Sequence, residues 1–161
     1  MSELVRVLWV GREAPRVEGI SWTLAADFDA GIACLDADSG LQAVVLRVAR
    51  AEEALQAFQN HDTPMSRRAI LVWLVQDNPA GDGALYAAGV QEVLTDRDAS
   101  DPSVLLRRIR AALARKRVEQ AAARAYATDP LTGLVNRQQL VEHLSHLLAV
   151  RAREPAPIGV V

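Results

Sequence analysis

A doubly wound α/β sandwich, built on a five-stranded parallel sheet and continued by a long C-terminal helical extension, is the fold class this sequence predicts. Three observations carry that expectation. Several apolar runs are continuous instead of alternating, the pattern of parallel strands covered on both faces. Stretches with apolar residues at helical spacing lie between them. The links are short, which favours strand–helix–strand crossovers within one sheet.

The first strand is Val5-Arg6-Val7-Leu8-Trp9-Val10, bounded by Gly11. A second is expected at Ile20 to Leu24, β-rich and following Gly19. Phe28 to Ala37 places Phe28, Ile32 and Leu35 at helical spacing. Ala43-Val44-Val45-Leu46 and Ala69 to Val75 read as fully buried strands, with a helix over Ala51 to Phe58 between them. Asn78 to Gly83 is a turn-rich loop, Ala84 to Ala88 a short helix ended by Gly89, and Val90 to Thr95 the fifth strand.

From Asp101-Pro102, an N-cap residue followed by a first-turn proline, helix formers run without Gly or Pro to about Tyr126. The first half carries an apolar stripe of Leu105, Leu106, Ile109, Ala112 and Leu113. The second half, Arg117 to Ala127, has no wide apolar face and reads as a connector. A turn and another helix follow, with Asn136 as cap, Gln139 as its capping-box partner and Leu140, Leu144, Leu147 and Leu148 as the buried stripe. Glu154-Pro155-Ala156-Pro157 ends that helix, and Ile158-Gly159-Val160-Val161 begins a strand, so the sequence is expected to be the front part of a longer protein.

A formal net charge of −2 offers no reason to expect nucleic acid or an anionic membrane as partner. One cysteine, Cys34, excludes an internal disulfide and a cysteine-rich zinc site. The start has no signal-peptide core, and no apolar run approaches the roughly 20 residues of a membrane span. A cytoplasmic location and no direct membrane contact are the expectations.

Gly19 to Ala26, with Ala30, Leu35 and Ala43-Val44-Val45-Leu46 after it, resembles the second strand, second helix and third strand of bacterial response-regulator receiver domains. Ala88-Gly89-Val90-Gln91-Glu92-Val93-Leu94 is similar to the family's approach to its fifth strand. The resemblance covers about 115 residues and implies a flavodoxin-like strand order of 2-1-3-4-5. It also implies a phosphoryl site at the C-terminal edge of the sheet: an acidic pair and a phosphoacceptor Asp holding Mg²⁺, a Ser or Thr, and a Lys. Here the acidic-pair positions hold Gly11 and Arg12, with Glu13 next; the phosphoacceptor position holds Arg47; the hydroxyl position falls at Leu74 or Val75; the lysine position holds Asp96. No Asp lies between Gly40 and Arg50, so no shift of register restores the acceptor. Phosphorelay is thereby excluded if the resemblance holds, and no metal or cofactor is expected. A further departure is that only Arg12 to Gly19, containing Pro15, separates the first two strands, where the family has a helix. The sheet face so uncovered must be buried by the long helix or by a second subunit.

Asp129-Pro130-Leu131-Thr132-Gly133-Leu134-Val135-Asn136-Arg137 resembles the opening of GGDEF domains, which make cyclic di-GMP from GTP. The matching positions Asp129, Leu131, Thr132, Gly133, Leu134, Asn136 and Arg137 are structural in that family, and its catalytic residues lie beyond this sequence. The expected organisation is a degenerate receiver over 1–115, a signalling-helix linker over 116–128 and the truncated start of a GGDEF domain over 129–161.

The two resemblances together imply a regulatory input domain, not an enzyme, in cyclic di-GMP signalling, acting as a homodimer or through another signalling protein. The rival readings are a module that recruits its parent to a cellular structure, and a small-ligand sensor. Arg47 with Arg12 and Arg50 can form an anion or nucleotide site; equally, Arg47 can pair with Asp96 or Glu13. The bland reading is preferred for three other features. His143 and His146 lack a third metal ligand. The cluster Arg107, Arg108, Arg110, Arg115, Lys116 and Arg117 is expected to be a solvated face or a surface for an acidic partner. Trp9, Trp22 and Trp73 are expected to pack in the core.

Overall fold

The computed structural model describes residues 4–59, 67–76, 79–99 and 101–127, and positions 132, 134, 135, 140, 141 and 144 beyond them. Five strands, β1 (Val5–Val10), β2 (Ile20–Ala25), β3 (Ala43–Val48), β4 (Ala69–Leu74) and β5 (Glu92–Thr95), form one parallel sheet in the order β2-β1-β3-β4-β5. The helices are α1 (Phe28–Ala37), α2 (Ala51–Gln59), α3 (Asp82–Ala87), α4 (Asp96–Ala99) and α5 (Pro102–Ala127). The expected α/β class, the strand order and the long C-terminal helix are all present. No helix of the described residues is long and apolar enough to cross a membrane. The chain divides into two compact units, Met1–Val118 and Glu119–Val161.

The continuous apolar runs are buried because each strand supplies both faces of the sheet. Leu8, Val10, Val44, Leu46, Val72 and Leu74 face one way, joined by Leu35 of α1, Ala54 of α2 and Leu85 of α3. Val7, Trp9, Val45, Leu71, Trp73 and Leu94 face the other way and meet Leu105, Ile109, Ala112 and Leu113 of α5. Burial of each of these valine, leucine and isoleucine side chains contributes about 2 kcal/mol.

Residues 11–19 contain no helix. The second face is covered within the chain, by α5 and by Ala14 and Val17 of this extended segment. Of the two expected ways of burying it, the first is therefore present. Three indoles fill the space that remains. Trp9 stands edge-on to Trp22 at 5.5 Å between ring centroids and to Trp73 at 5.3 Å. Leu24, on the edge strand, stays 57% exposed.

Local differences from the expected elements have local causes. β5 begins at Glu92, not Val90, because the Val90 N–H donates to the Leu85 carbonyl, and the Gly89 N–H to that of Tyr86, closing α3 with Gly89 at φ +92°. Asp82 and Gly83, expected in a loop, form the start of α3 after a 3₁₀ turn at Pro79–Gly81; Asp82 suits a first turn, where the helix dipole favours an acid. The α4 turn was not expected. Asp98 holds it by accepting from both the backbone N–H and the hydroxyl of Thr95, at 3.1 and 3.0 Å. Asp101 begins α5 as expected, accepting from the Ser103 N–H at 2.8 Å. Asn136, Gln139, His143, His146, Leu147, Leu148 and the 158–161 strand lie outside the described residues.

Candidate functional site

β1 is flanked by β2 on one side and β3 on the other, so the chain leaves β1 and β3 in opposite directions. Such a divergence opens a crevice at the C-terminal edge of a parallel sheet. In this chain the segment after β1 is extended and does not fill it. The resulting cleft, about 450 Å³, is lined by Trp9, Arg12, Glu13, Ala14, Pro15, Arg47 and Trp73.

Each of these side chains is placed by register. Arg47 is paired with Trp73, and Trp9 with Val45, so Trp9, Arg47 and Trp73 share the face that carries α5. The Arg47 guanidinium carbon lies 6.0 Å from the centroid of the Trp73 ring, within cation–π reach. An Arg47 guanidinium nitrogen lies 3.8 Å from Oδ1 of Asp96, the first residue of α4. That oxygen also accepts the Trp73 indole N–H at 2.7 Å. Of the two expected partners of Arg47, the structure selects Asp96 over Glu13. Arg12 is exposed and forms no ion pair among the described residues. The buried Trp9 indole N–H has no hydrogen-bond partner there either.

Gly11 is held at the end of β1, its N–H donating to the Ala25 carbonyl at 2.9 Å. Leu74 ends β4 but belongs to the opposite face, fully buried in the α1–α3 core, so it takes no part in the cleft. Arg50 is exposed just before α2 and does not line the cleft. The sequence thus brings to one place Arg12, Glu13, Arg47 and, at the rim, Asp96. It assigned Trp9 and Trp73 to the core; they are buried, but each also forms cleft wall. Period-two alternation back from Arg47 and its strand partners was the one signal for this.

The residues present do not suit Mg²⁺. Hard cations take oxygen ligands, and here a guanidinium stands at the end of β3 while Gly11 and Arg12 follow β1. Among the described residues, no group of three His, Cys, Asp or Glu side chains is placed to hold a metal ion.

A second polar cluster links this edge to α5. Glu92 of β5, only 6% exposed, accepts from Arg108 at 2.7 Å and also pairs with Arg115. Arg108 reaches Asp98 of α4 at 3.3 Å. Burial alone would raise the Asp98 pKa, but the Thr95 hydrogen bonds and the Arg108 charge outweigh it and hold the carboxyl below its ordinary value. Arg108 and Arg115 therefore do not belong to a purely solvated face, and Lys116 is itself buried. Of the GGDEF-like positions, Thr132 and Leu134 are described, the Leu134 N–H donating to the Thr132 hydroxyl at 3.4 Å. Asp129, Leu131, Gly133, Asn136 and Arg137 lie outside the described residues.

No family model matches this chain, and no curated protein sequence does.

Proposed function

We propose that this chain is a regulatory input domain of a cyclic di-GMP signalling protein, receiver-like in fold and without the means to be phosphorylated. The observation that carries the reading is the Arg47–Asp96 pair. It sets a cation at the end of β3, where an acceptor carboxylate would be needed, and its own counter-ion at the end of β5, where a lysine would be needed. The edge is thus neutralised internally, without a phosphoryl group. The resemblance of residues 129–137 to a GGDEF opening supplies the output side, over the organisation 1–115, 116–128 and 129–161. On this reading the chain is not itself an enzyme, works in the cytoplasm, and acts through a second copy or another signalling protein.

Control runs through α5 in this proposal. The clamp of Glu92 on Arg108 and Arg115 ties that helix to β5, so displacement at the sheet edge and displacement of α5 are mechanically coupled. Light scattering over a concentration range, on residues 1–161 and on a form ended after Val118, tests it. Dimerisation of the longer form alone is expected. If both forms stay monomeric and deleting residues 1–118 leaves cyclic di-GMP synthesis by the parent unchanged, the regulatory reading fails.

A further inference from the structure

We propose that the cleft between the ends of β1, β3 and β4 binds a small organic anion carried on a flat ring, with Arg12 and Arg47 taking the anionic group and the Trp9–Trp73 wall taking the ring. The inference goes beyond the regulatory reading and does not depend on it, since binding at the cleft can be found or lost whatever domain follows.

The volume, about 450 Å³, lies in the range of small-molecule sites, and the position at the reversal of strand order is where open parallel sheets place their ligands. The lining is of the kind such sites use: an apolar wall of Trp9, Trp73, Ala14 and Pro15 with a few polar groups. Two arginines and one glutamate line it, with Asp96 at the rim as the second acid, so an anion is drawn by the guanidinium donors themselves and not by a net charge. Arg12 is exposed with no ion pair to give up. Arg47 has one, with Asp96, but it is long at 3.8 Å, and the two side chains are 41% and 56% exposed. A pair of that kind is weak, so a ligand carboxylate or phosphate can replace Asp96 at the guanidinium while Trp73 stays hydrogen-bonded to Asp96. The contact of Arg47 with the Trp73 ring holds cation and ring surface together, which favours a ligand bearing both features.

Carboxylates and phosphates on a ring share this chemistry, and calorimetry on the 161-residue chain separates them. The titrants are naphthoate, adenosine monophosphate, inorganic phosphate and the neutral naphthalenemethanol. Saturable binding is expected for at least one ring-borne anion, with a dissociation constant below about 1 mM. Which of the two binds identifies the anionic group. Phosphate alone and the neutral alcohol are expected to bind at least about tenfold more weakly, because each offers half of the recognition. Arg12→Ala, at an exposed and unpaired position, is expected to weaken binding about tenfold without altering the circular dichroism spectrum. Arg47→Gln is expected to weaken it by at least as much. Absence of saturable binding by both ring-borne anions overturns the proposal. So does equal affinity for the neutral alcohol, or an unchanged constant in Arg12→Ala.

Discussion

The indole N–H of Trp73 donates to Oδ1 of Asp96 at 2.7 Å, and the same carboxylate oxygen lies 3.8 Å from an Arg47 guanidinium nitrogen. One acid thus serves the end of β4 by a hydrogen bond and the end of β3 by charge. The two functions are separable by substitution. Asp96→Ala removes both and is expected to lower the unfolding free energy by about 1 kcal/mol, a typical charge-assisted bond in a half-exposed setting. Asp96→Asn keeps an acceptor for Trp73 and is expected to cost less than half of that. Urea denaturation of the two variants checks the order, and equal losses would mean that the charge, not the indole bond, dominates.

Glu92 is buried while its partners Arg108 and Arg115 are 44% and 51% exposed. Its removal leaves guanidinium groups that water can reach, so the loss is smaller than for a wholly buried pair. Glu92→Ala is expected to destabilise by about 2 kcal/mol, below the 3–5 kcal/mol range of buried pairs. Arg115→Ala is expected to cost about half as much. A double-mutant cycle on Glu92 and Arg115 should give a coupling of about 1 kcal/mol, and additive losses would show that the pair contributes nothing net.

Asp98 has its carboxyl held below the ordinary value of 3.8 in spite of its burial, because Thr95 and Arg108 bind the charged form. A depressed folded-state pKa stabilises the fold fully above the unfolded value, and the contribution is lost as pH falls through the folded one. Asp98→Asn is therefore expected to lower stability at pH ~7 and to flatten the decline on acidification below pH ~4. An acid limb as steep as that of the original chain would assign the decline to other carboxylates.

Gly11 has φ +153°, and a Cβ there would lie 3.0 Å from Nε1 of Trp9. Gly83, in α3, has no atom within 4 Å of its Cβ position. Gly11→Ala is expected to destabilise by about 1–2 kcal/mol through strain and displacement of Trp9. Gly83→Ala is expected to stabilise by about 0.5 kcal/mol by restricting the unfolded chain. Thermal melts of both should shift in opposite directions.

Incubation with acetyl phosphate and Mg²⁺ is expected to leave the intact mass unchanged, since Arg47 offers neither a nucleophilic oxygen nor a metal ligand. A phosphoryl adduct by mass spectrometry would locate an acceptor elsewhere and remove the basis for the non-phosphorylatable reading.

The sequence by itself determined the fold class. Runs such as Ala43 to Leu46 and Ala69 to Leu74 are apolar at every position because both faces of a central parallel strand are buried, and that demand is written locally. The start of α5 at Asp101 and Pro102 and the missing helix between β1 and β2 were legible for the same reason: caps, prolines and chain length act on neighbours in sequence. Val90, by contrast, is as apolar as the strand after it. Only the closure of α3 at Gly89, which takes the Val90 N–H, decides that β5 starts at Glu92. The cleft was out of reach of local reading altogether. Its walls come from β1, the following segment, β3 and β4, and whether Arg47 pairs with Asp96 or Glu13 depends on how those strands align. Strand register turns Trp9, Arg47 and Trp73 to one face and Leu74 to the other. Residues so far apart in the chain acquire a distance only when the sheet is assembled, so tertiary structure alone made a site of them.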